Sequence, residues 1–362
     1  MTRARAIALY LPQFHPVAEN DAWWGRGFTE WTNTAKAKPL FPGHAQPHIP
    51  ADLGFYDLRV AETRAAQAEL ARRFGIEAFC YYHYWFAGRR ILERPFDEVL
   101  ASGAPTFPFC LCWANETWTG VWHGAPNRIL IEQTYPGRAD HAAHFSALRP
   151  AFADPRYVRV EGKPLFLLYK PEKLPDPVAT LALWRSMAEA AGLGGLHIVG
   201  MSARPEWDPR ASGFDAKVVL PLIMTRGWVS RRRPLAWARA KYEVWRGLPT
   251  ILPYADFVAR EMPRPVPEYE AYPCLVHAWD NTPRAGANGV LLQGTTPKLF
   301  RRLLDGAVRV LQDKPPERRL LFLKAWNEWA EGNHLEPDLA HGDAWLREVG
   351  AALGAAPAPD GT

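Results

Sequence analysis

Eight short apolar runs, with helical patterns between most of them, restrict the fold of this chain more than anything else in it. They are Ala6–Leu11, Glu77–Trp85, Phe107–Ala114, Pro164–Tyr169, His197–Ser202, Lys217–Leu222, Pro273–Ala278 and Leu320–Ala325. Nearly continuous apolar runs of this length are strands buried on both faces, which is the habit of parallel sheets covered by helices. The helical patterns lie at Leu58–Phe74, Glu93–Ser102, Ala139–Phe152, Val178–Ala191 and Pro297–Leu311. Eight such units predict an α/β fold, a single (β/α)8 TIM-type barrel with long loops at its C-terminal mouth. Residues 1–353 read as one domain and the Ala/Pro/Gly-rich residues 354–362 as a disordered tail. Two joins are irregular. Only a short stretch at Trp207–Gly213 separates strands five and six, and Ile223–Tyr272, with a helical piece near Leu235–Trp245, reads as an insertion over the mouth.

In such a barrel the reactive groups come from the C-terminal ends of the strands. Five tips here turn polar and aromatic together. Strand one ends on Tyr10, Gln13 and His15, strand two on His83 and Tyr84, strand three on Trp113, Asn115 and Glu116, and strand seven on His277, Trp279 and Asp280. Strand eight runs into Trp326, Asn327, Glu328, Trp329, Glu331, His334 and Glu336. A single buried histidine at a tip is more often a satisfied core residue than a ligand, but polar tips recurring at five strands point to one lined cleft. The connection after strand one, Asp21–Pro50, is long enough for a lid or binding loop and contains W-W-G-R-G-F-T-E-W. Its Glu30 and Trp31 are expected at the site, whereas Trp23 and Trp24 suit a lining or a plug equally well.

Glu328 and Glu331 are three residues apart, so a helical turn after strand eight puts both carboxyls on one side. Two carboxyls in an aromatic cleft are what glycosidic-bond chemistry requires. One protonates the leaving oxygen and the other assists at the sugar carbon. The competing explanation is a helix N-terminus, where acidic residues are favoured anyway.

Composition bears on the alternatives. Sixteen tryptophans, twelve tyrosines and seventeen phenylalanines suit a surface that stacks on sugar rings. The net charge of +5 comes from scattered arginines and lysines, with one dense run at Arg231–Arg233, which is not a nucleic-acid footprint. Neither a cleavable leader nor an apolar run long enough to cross a bilayer stands out, so a cytoplasmic protein is expected. Cys80, Cys110, Cys112 and Cys274 lie in strand-like runs and read as buried thiols. A metal-dependent hydrolase built on His15, His83 and His277 lacks the H-x-H or H-x-x-x-H spacing of a metal site, so no metal and no cofactor are expected.

The segments L-P-Q-F-H, W-W-G-R-G-F-T-E-W, P-F-C-L-C-W-A-N-E, W-D-N-T-P-R and A-W-N-E-W-A-E-G-N-H-L-E-P-D resemble the WbsX-type proteins. These are glycosyltransferase-like proteins of polysaccharide biosynthesis with a glycoside hydrolase family 99-like domain. The resemblance runs from about Arg5 to Leu353 and implies a (β/α)8 barrel acting on carbohydrate. Family 99 endo-α-mannosidases carry a similar W-N-E-W-x-E-G segment. That likeness implies Glu331 as general acid/base and Glu328 as the group drawing a proton from the sugar 2-hydroxyl, with retention through a 1,2-anhydro sugar. Three readings remain beside the metal-dependent one. The first is a retaining glycosidase on an α-mannoside-like oligo- or polysaccharide. The second is a glycosyltransferase of cell-envelope (O-antigen-type, lipopolysaccharide) synthesis, taking a sugar nucleotide or lipid-linked glycan. The third is a carbohydrate-binding protein on an inactive barrel, which the two intact glutamates disfavour.

Overall fold

The computed structural model describes residues 4–120, 125–223, 242, 245–266 and 268–355. Its eight main strands are β1 (Arg5–Tyr10), β2 (Ile76–His83), β3 (Phe109–Trp113), β4 (Lys163–Leu168), β5 (His197–Ser202), β6 (Ala216–Val219), β7 (Ala271–Val276) and β8 (Leu320–Lys324). Each pairs in parallel with the next, and β8 returns to β1 through Arg5↔Leu320 to Ala8↔Leu323. The ring is closed, so no strand edge is left open. All eight coincide with the apolar runs of the sequence to within a few residues. The strands are almost wholly buried, because the barrel interior covers one face and the helices the other.

The expected helices are present as α3 (Ala61–Arg73), α4 (Arg94–Ser102), α5 (Arg138–Ala153), α6 (Pro177–Ala190) and α9 (Pro297–Leu311), in an order that also includes α1 (Ala18–Trp24), α2 (Glu30–Lys36), α7 (Tyr254–Glu261), α8 (Thr282–Ala285) and α10 (Ala344–Leu353). Helix α9 shows why these segments form. Thr296 caps it by accepting from Leu299 N, Pro297 opens it, and Phe300, Leu303, Leu304, Ala307 and Leu311 form its buried stripe. The irregular join at Trp207–Gly213 contains only a short 3-10 turn, Pro209–Ser212. Most of the helical piece read near Leu235–Trp245 within the Ile223–Tyr272 insertion, and nearly all of the 354–362 tail, lie outside the described residues. All four cysteines are buried and free. Among the described residues, no helix is long and apolar enough to cross a membrane.

Candidate active site

After β8 the chain leaves the barrel at its C-terminal end, through a cis Lys324–Ala325 peptide, into a tight turn. Asn327 and Glu328 pair back on Asn333 and His334, and a 3-10 turn at Trp329–Glu331 lies between them. The turn closes at Gly332, whose φ is +56° and where an added Cβ would lie 3.0 Å from Asp280 Cβ. Only glycine fits both demands. Asp280 N donates to the Glu331 carbonyl at 2.7 Å, which fixes the turn against the tip of β7. Asn327 anchors the other side, accepting from Leu11 N at 2.8 Å and donating to Leu11 O at 3.0 Å. Glu336 lies beneath, accepting from Trp329 Nε1 and Gln67 Nε2 (each 2.6 Å) and from Tyr56 OH (2.8 Å). Burial pushes its carboxyl up to about 7, although these donors pull the other way.

Glu328 and Glu331 thus meet on the floor of a cleft of about 590 Å³. Lys324 Nζ donates to Glu328 Oε2 at 2.6 Å and lies 3.6 Å from Glu331 Oε2. Arg284 bridges Glu331 Oε1 at 2.6 Å and Glu30 Oε1 at 2.5 Å, and Glu30 also accepts from Ala330 N. Three carboxyl groups therefore share two cations, and all five side chains are at most 15% exposed. A buried surplus negative charge is expensive, and one extra proton removes it. The proton falls on Glu331. Burial and the charge of Glu328 push its pKa up to about 8, against the pull of Arg284 and Lys324. Burial also raises Glu328, but Lys324, a hydrogen bond from Glu331 and Arg284 more than offset it and hold that carboxyl at about 2. One acid is kept protonated and its neighbour ionised, the division of roles that paired-carboxyl chemistry uses.

Of the residues the sequence singled out, Gln13, Glu30, Tyr84, Glu116 and Trp279 line this cleft with the pair. Trp24, one of the two undecided tryptophans, lines it with Phe28, while Trp23 packs edge-on against Trp118 at 5.8 Å. Glu116 sits at the rim, 3.8 Å from Lys170 Nζ. The others do not line it, and strand geometry explains several of them. Side chains alternate across a strand, so of C-Y-Y-H-Y-W the residues Tyr82 and Tyr84 face the cleft while His83 and Trp85 face the helices. His83 Nε2 meets His144 Nε2 of α5 at 2.9 Å, and Trp85 Nε1 donates to Asp140. Trp113 likewise packs on His144 and Trp184, and Tyr10 donates to Gln67 of α3.

Asn115 accepts from Lys170 N and donates to Lys170 O, a backbone clamp between the β3 and β4 tips. His15 bonds the Pro12 carbonyl, and Trp31 donates to the Tyr56 carbonyl and packs against Trp329. Trp326 is fully buried against Phe79. Asp280 turns away to His44 Nε2 (2.7 Å) and Gln46 Nε2 (2.8 Å). His277 lies against Phe300 and Trp345, and His334 stacks on Trp329. The three histidines of the metal-dependent reading, His15, His83 and His277, therefore have separate partners. Sequence reasoning passed over Lys324 and Arg284. The signals were there, a lysine closing an otherwise apolar strand and the arginine that ends W-D-N-T-P-R, with Lys324 four residues before Glu328.

The family described as glycosyltransferase WbsX matches residues 6–349. The uncharacterized protein WxcX of Xanthomonas campestris pv. campestris, in strains B100 and ATCC 33913, is 43% identical over 359 residues. That match covers 98% of this chain and 50% of WxcX, so the chain spans about half the length of the curated relatives it matches. Among solved structures, a glycoside hydrolase-like protein superposes with a TM-score of 0.62 at 16% identity, over 98% of this chain and 95% of its own. The family 99 endo-α-mannosidase of Bacteroides thetaiotaomicron, solved with bis-tris-propane, gives 0.57 at 13% identity, over 97% and 96%. At such identities the likeness shows the (β/α)8 fold alone.

Proposed function

The chain belongs to the glycosyltransferase WbsX family, and on that footing we propose that its cleft breaks glycosidic bonds with retention, with Glu331 as acid/base and Glu328 as the assisting carboxylate. The observation that carries this reading is the floor itself, where the buried carboxyls of Glu30, Glu328 and Glu331 share only Arg284 and Lys324, an imbalance that favours a proton on Glu331. In the first step Glu331 gives its proton to the leaving oxygen. Glu328 takes the proton of the sugar 2-hydroxyl, and that oxygen closes on the anomeric carbon as the bond to the leaving group breaks. In the second step the Glu331 carboxylate takes a proton from water, which opens the 1,2-anhydro sugar, and Glu328 returns its proton to O2. The two groups exchange roles between the steps, as microscopic reversibility requires. The division of roles and the anhydro sugar come from the likeness of W-N-E-W-A-E-G to the family 99 enzymes. The aromatic walls formed by Trp24, Phe28, Tyr82, Tyr84, Trp118 and Trp279 suit the faces of sugar rings.

A second reading is favoured by the family's own description. With an acceptor hydroxyl in place of water, the same two carboxyls form a bond instead of hydrolysing one. The donor would then be a sugar nucleotide or a lipid-linked glycan of cell-envelope polysaccharide synthesis, and the cationic Lys170 at the rim would face it. Product analysis by mass spectrometry separates the two, using α-mannosides and bacterial polysaccharides with and without sugar nucleotides. Hydrolysis without a donor is the expected result. Turnover only with a sugar nucleotide makes the transferase the correct reading, and release of the inverted anomer, read from the anomeric proton by NMR, removes the retaining mechanism.

A further inference from the structure

Beside the cleft, and sharing Trp279 with it, lies a smaller cavity of about 130 Å³ lined by His44, His48, His277, His334, Asp338 and His341 among others. We propose that this cavity is a metal site, in which His48 Nδ1, His334 Nε2 and Asp338 Oδ2 hold one divalent cation of the zinc class.

The geometry is that of a ligand set. One donor atom from each of the three residues lies within 4.8 Å of the others. His48 Nδ1 and His334 Nε2 are 2.9 Å apart, and His334 Nε2 is 3.8 Å from Asp338 Oδ2. Metal–nitrogen bonds of about 2.0–2.1 Å in a tetrahedron put neighbouring donors about 3.3 Å apart, which falls between these two values. The surroundings also prepare the donors. His334 Nδ1 donates to the Glu336 carbonyl at 3.0 Å, so in the neutral ring Nε2 carries the lone pair, and Trp329 stacked at 3.6 Å holds the ring. Metal-binding histidines have this second hydrogen bond as a rule. Asp338 Oδ1 is engaged by the backbone N–H groups of Ala340 (2.9 Å) and His341 (2.6 Å), leaving Oδ2 toward His334.

Both carrying segments are fixed by backbone bonds, Ala51 N to Pro337 O at 3.0 Å and Leu339 N to Ile49 O at 2.9 Å. The partly exposed His341, hydrogen-bonded to Asp338, marks the solvent side and the way in. Two imidazoles and one carboxylate select zinc-like ions over magnesium, which prefers oxygen ligands and retains its water. A bound ion would tie the loop that carries Glu328 and Glu331 to the segment following β1. His48 lies 286 residues from His334, so no short histidine spacing marks such a site.

Untagged protein, stripped with a chelator and titrated with Zn²⁺ and separately with Mg²⁺ by calorimetry, tests this. One equivalent of Zn²⁺ and no Mg²⁺ should bind, and Co²⁺ should give the visible absorption of a four-coordinate nitrogen and oxygen site. A hundredfold excess of Zn²⁺ over its Kd should raise the melting temperature by about 3 °C. His334→Ala and Asp338→Asn should each weaken Zn²⁺ binding by about 100-fold or more and abolish the Co²⁺ absorption. Should His334→Ala not fold, the half-buried His48→Ala gives the same readout. Absence of stoichiometric Zn²⁺ binding, or binding unchanged in Asp338→Asn and His48→Ala, overturns the proposal and leaves a hydrogen-bonded histidine pair.

Discussion

At the N-terminal end of the barrel, Arg5 donates to Glu77 at 2.7 Å, Arg318 to Glu161 at 2.7 Å, and Lys314 meets Glu270. At the mouth, Arg284 and Lys324 face Glu30, Glu328 and Glu331. Both ends bring together arginine, lysine and glutamate that are far apart in the chain. The lower cluster is balanced, three cations to three anions with Arg318 reaching both Glu161 and Glu270, and it is partly open to water, with Glu77 34% and Glu161 47% exposed. Solvent screens such pairs, and they contribute little beyond holding the ends of strands in register. The upper cluster is buried and one cation short, and there a missing charge is made up by a proton. Surface pairing organises an end of the barrel, while buried and unequal pairing makes an acid.

The largest test removes the unequal pair. Glu331→Gln and Glu328→Gln should each lower turnover by about 10²–10⁴-fold on a verified substrate while circular dichroism stays native. An activated leaving group should restore part of the Glu331→Gln rate, because it departs without protonation, and should not restore Glu328→Gln. Rescue of only the second variant would reverse the roles. Near-normal activity in both would move the chemistry to another carboxyl, Glu116 first.

Next comes the cation that sets the inequality. Lys324→Met leaves Glu328 buried without its partner and should cost about 3–5 kcal/mol in denaturant unfolding. A cost near zero would mean that water reaches the floor. A smaller effect should appear with pH. The alkaline limb of kcat/KM should lie near the Glu331 value of about 8 and should be absent from whatever activity Glu331→Gln retains. Stability carries the same sign. The folded pKa of Glu331 lies above its ordinary value, so its contribution is complete at acid pH and is lost as pH rises through about 8, a loss Glu331→Gln does not share. At the other end of the barrel, Glu77→Gln should change stability by no more than about 1 kcal/mol. A loss as large as that of Lys324→Met would erase the distinction between the two ends.

The barrel was legible because strand burial is written in composition: each apolar run must be covered on both sides, and eight of them can close. The acidic turn was legible for a related reason, since Glu328 and Glu331 among tryptophans break an apolar pattern. The facing of individual tip residues was not. His83 and Tyr84 are neighbours in sequence but point to opposite sides of β2, and which parity faces inward is set by closure of the ring. Lys324 was hidden by its own strand, because a lysine ending an apolar run looks like the point where the chain meets water. Glu328 and Glu331, brought back by the turn, give it buried partners.

The contact of Glu30 with Arg284 and Ala330 joins residues 254 and 300 positions apart. In time, this means the floor of the cleft is among the last parts of the barrel to exist. While the chain is being made, Glu30 waits for 254 further residues before Arg284 appears and for 300 before Ala330. A nascent chain stopped short of β8 carries seven strands, an open seam beside β1 and no acid. Such late, long-range closure is slow and leaves strand edges exposed meanwhile. A chain that stops before β8 therefore lacks Glu328 and Glu331 and leaves strand edges open to aggregation.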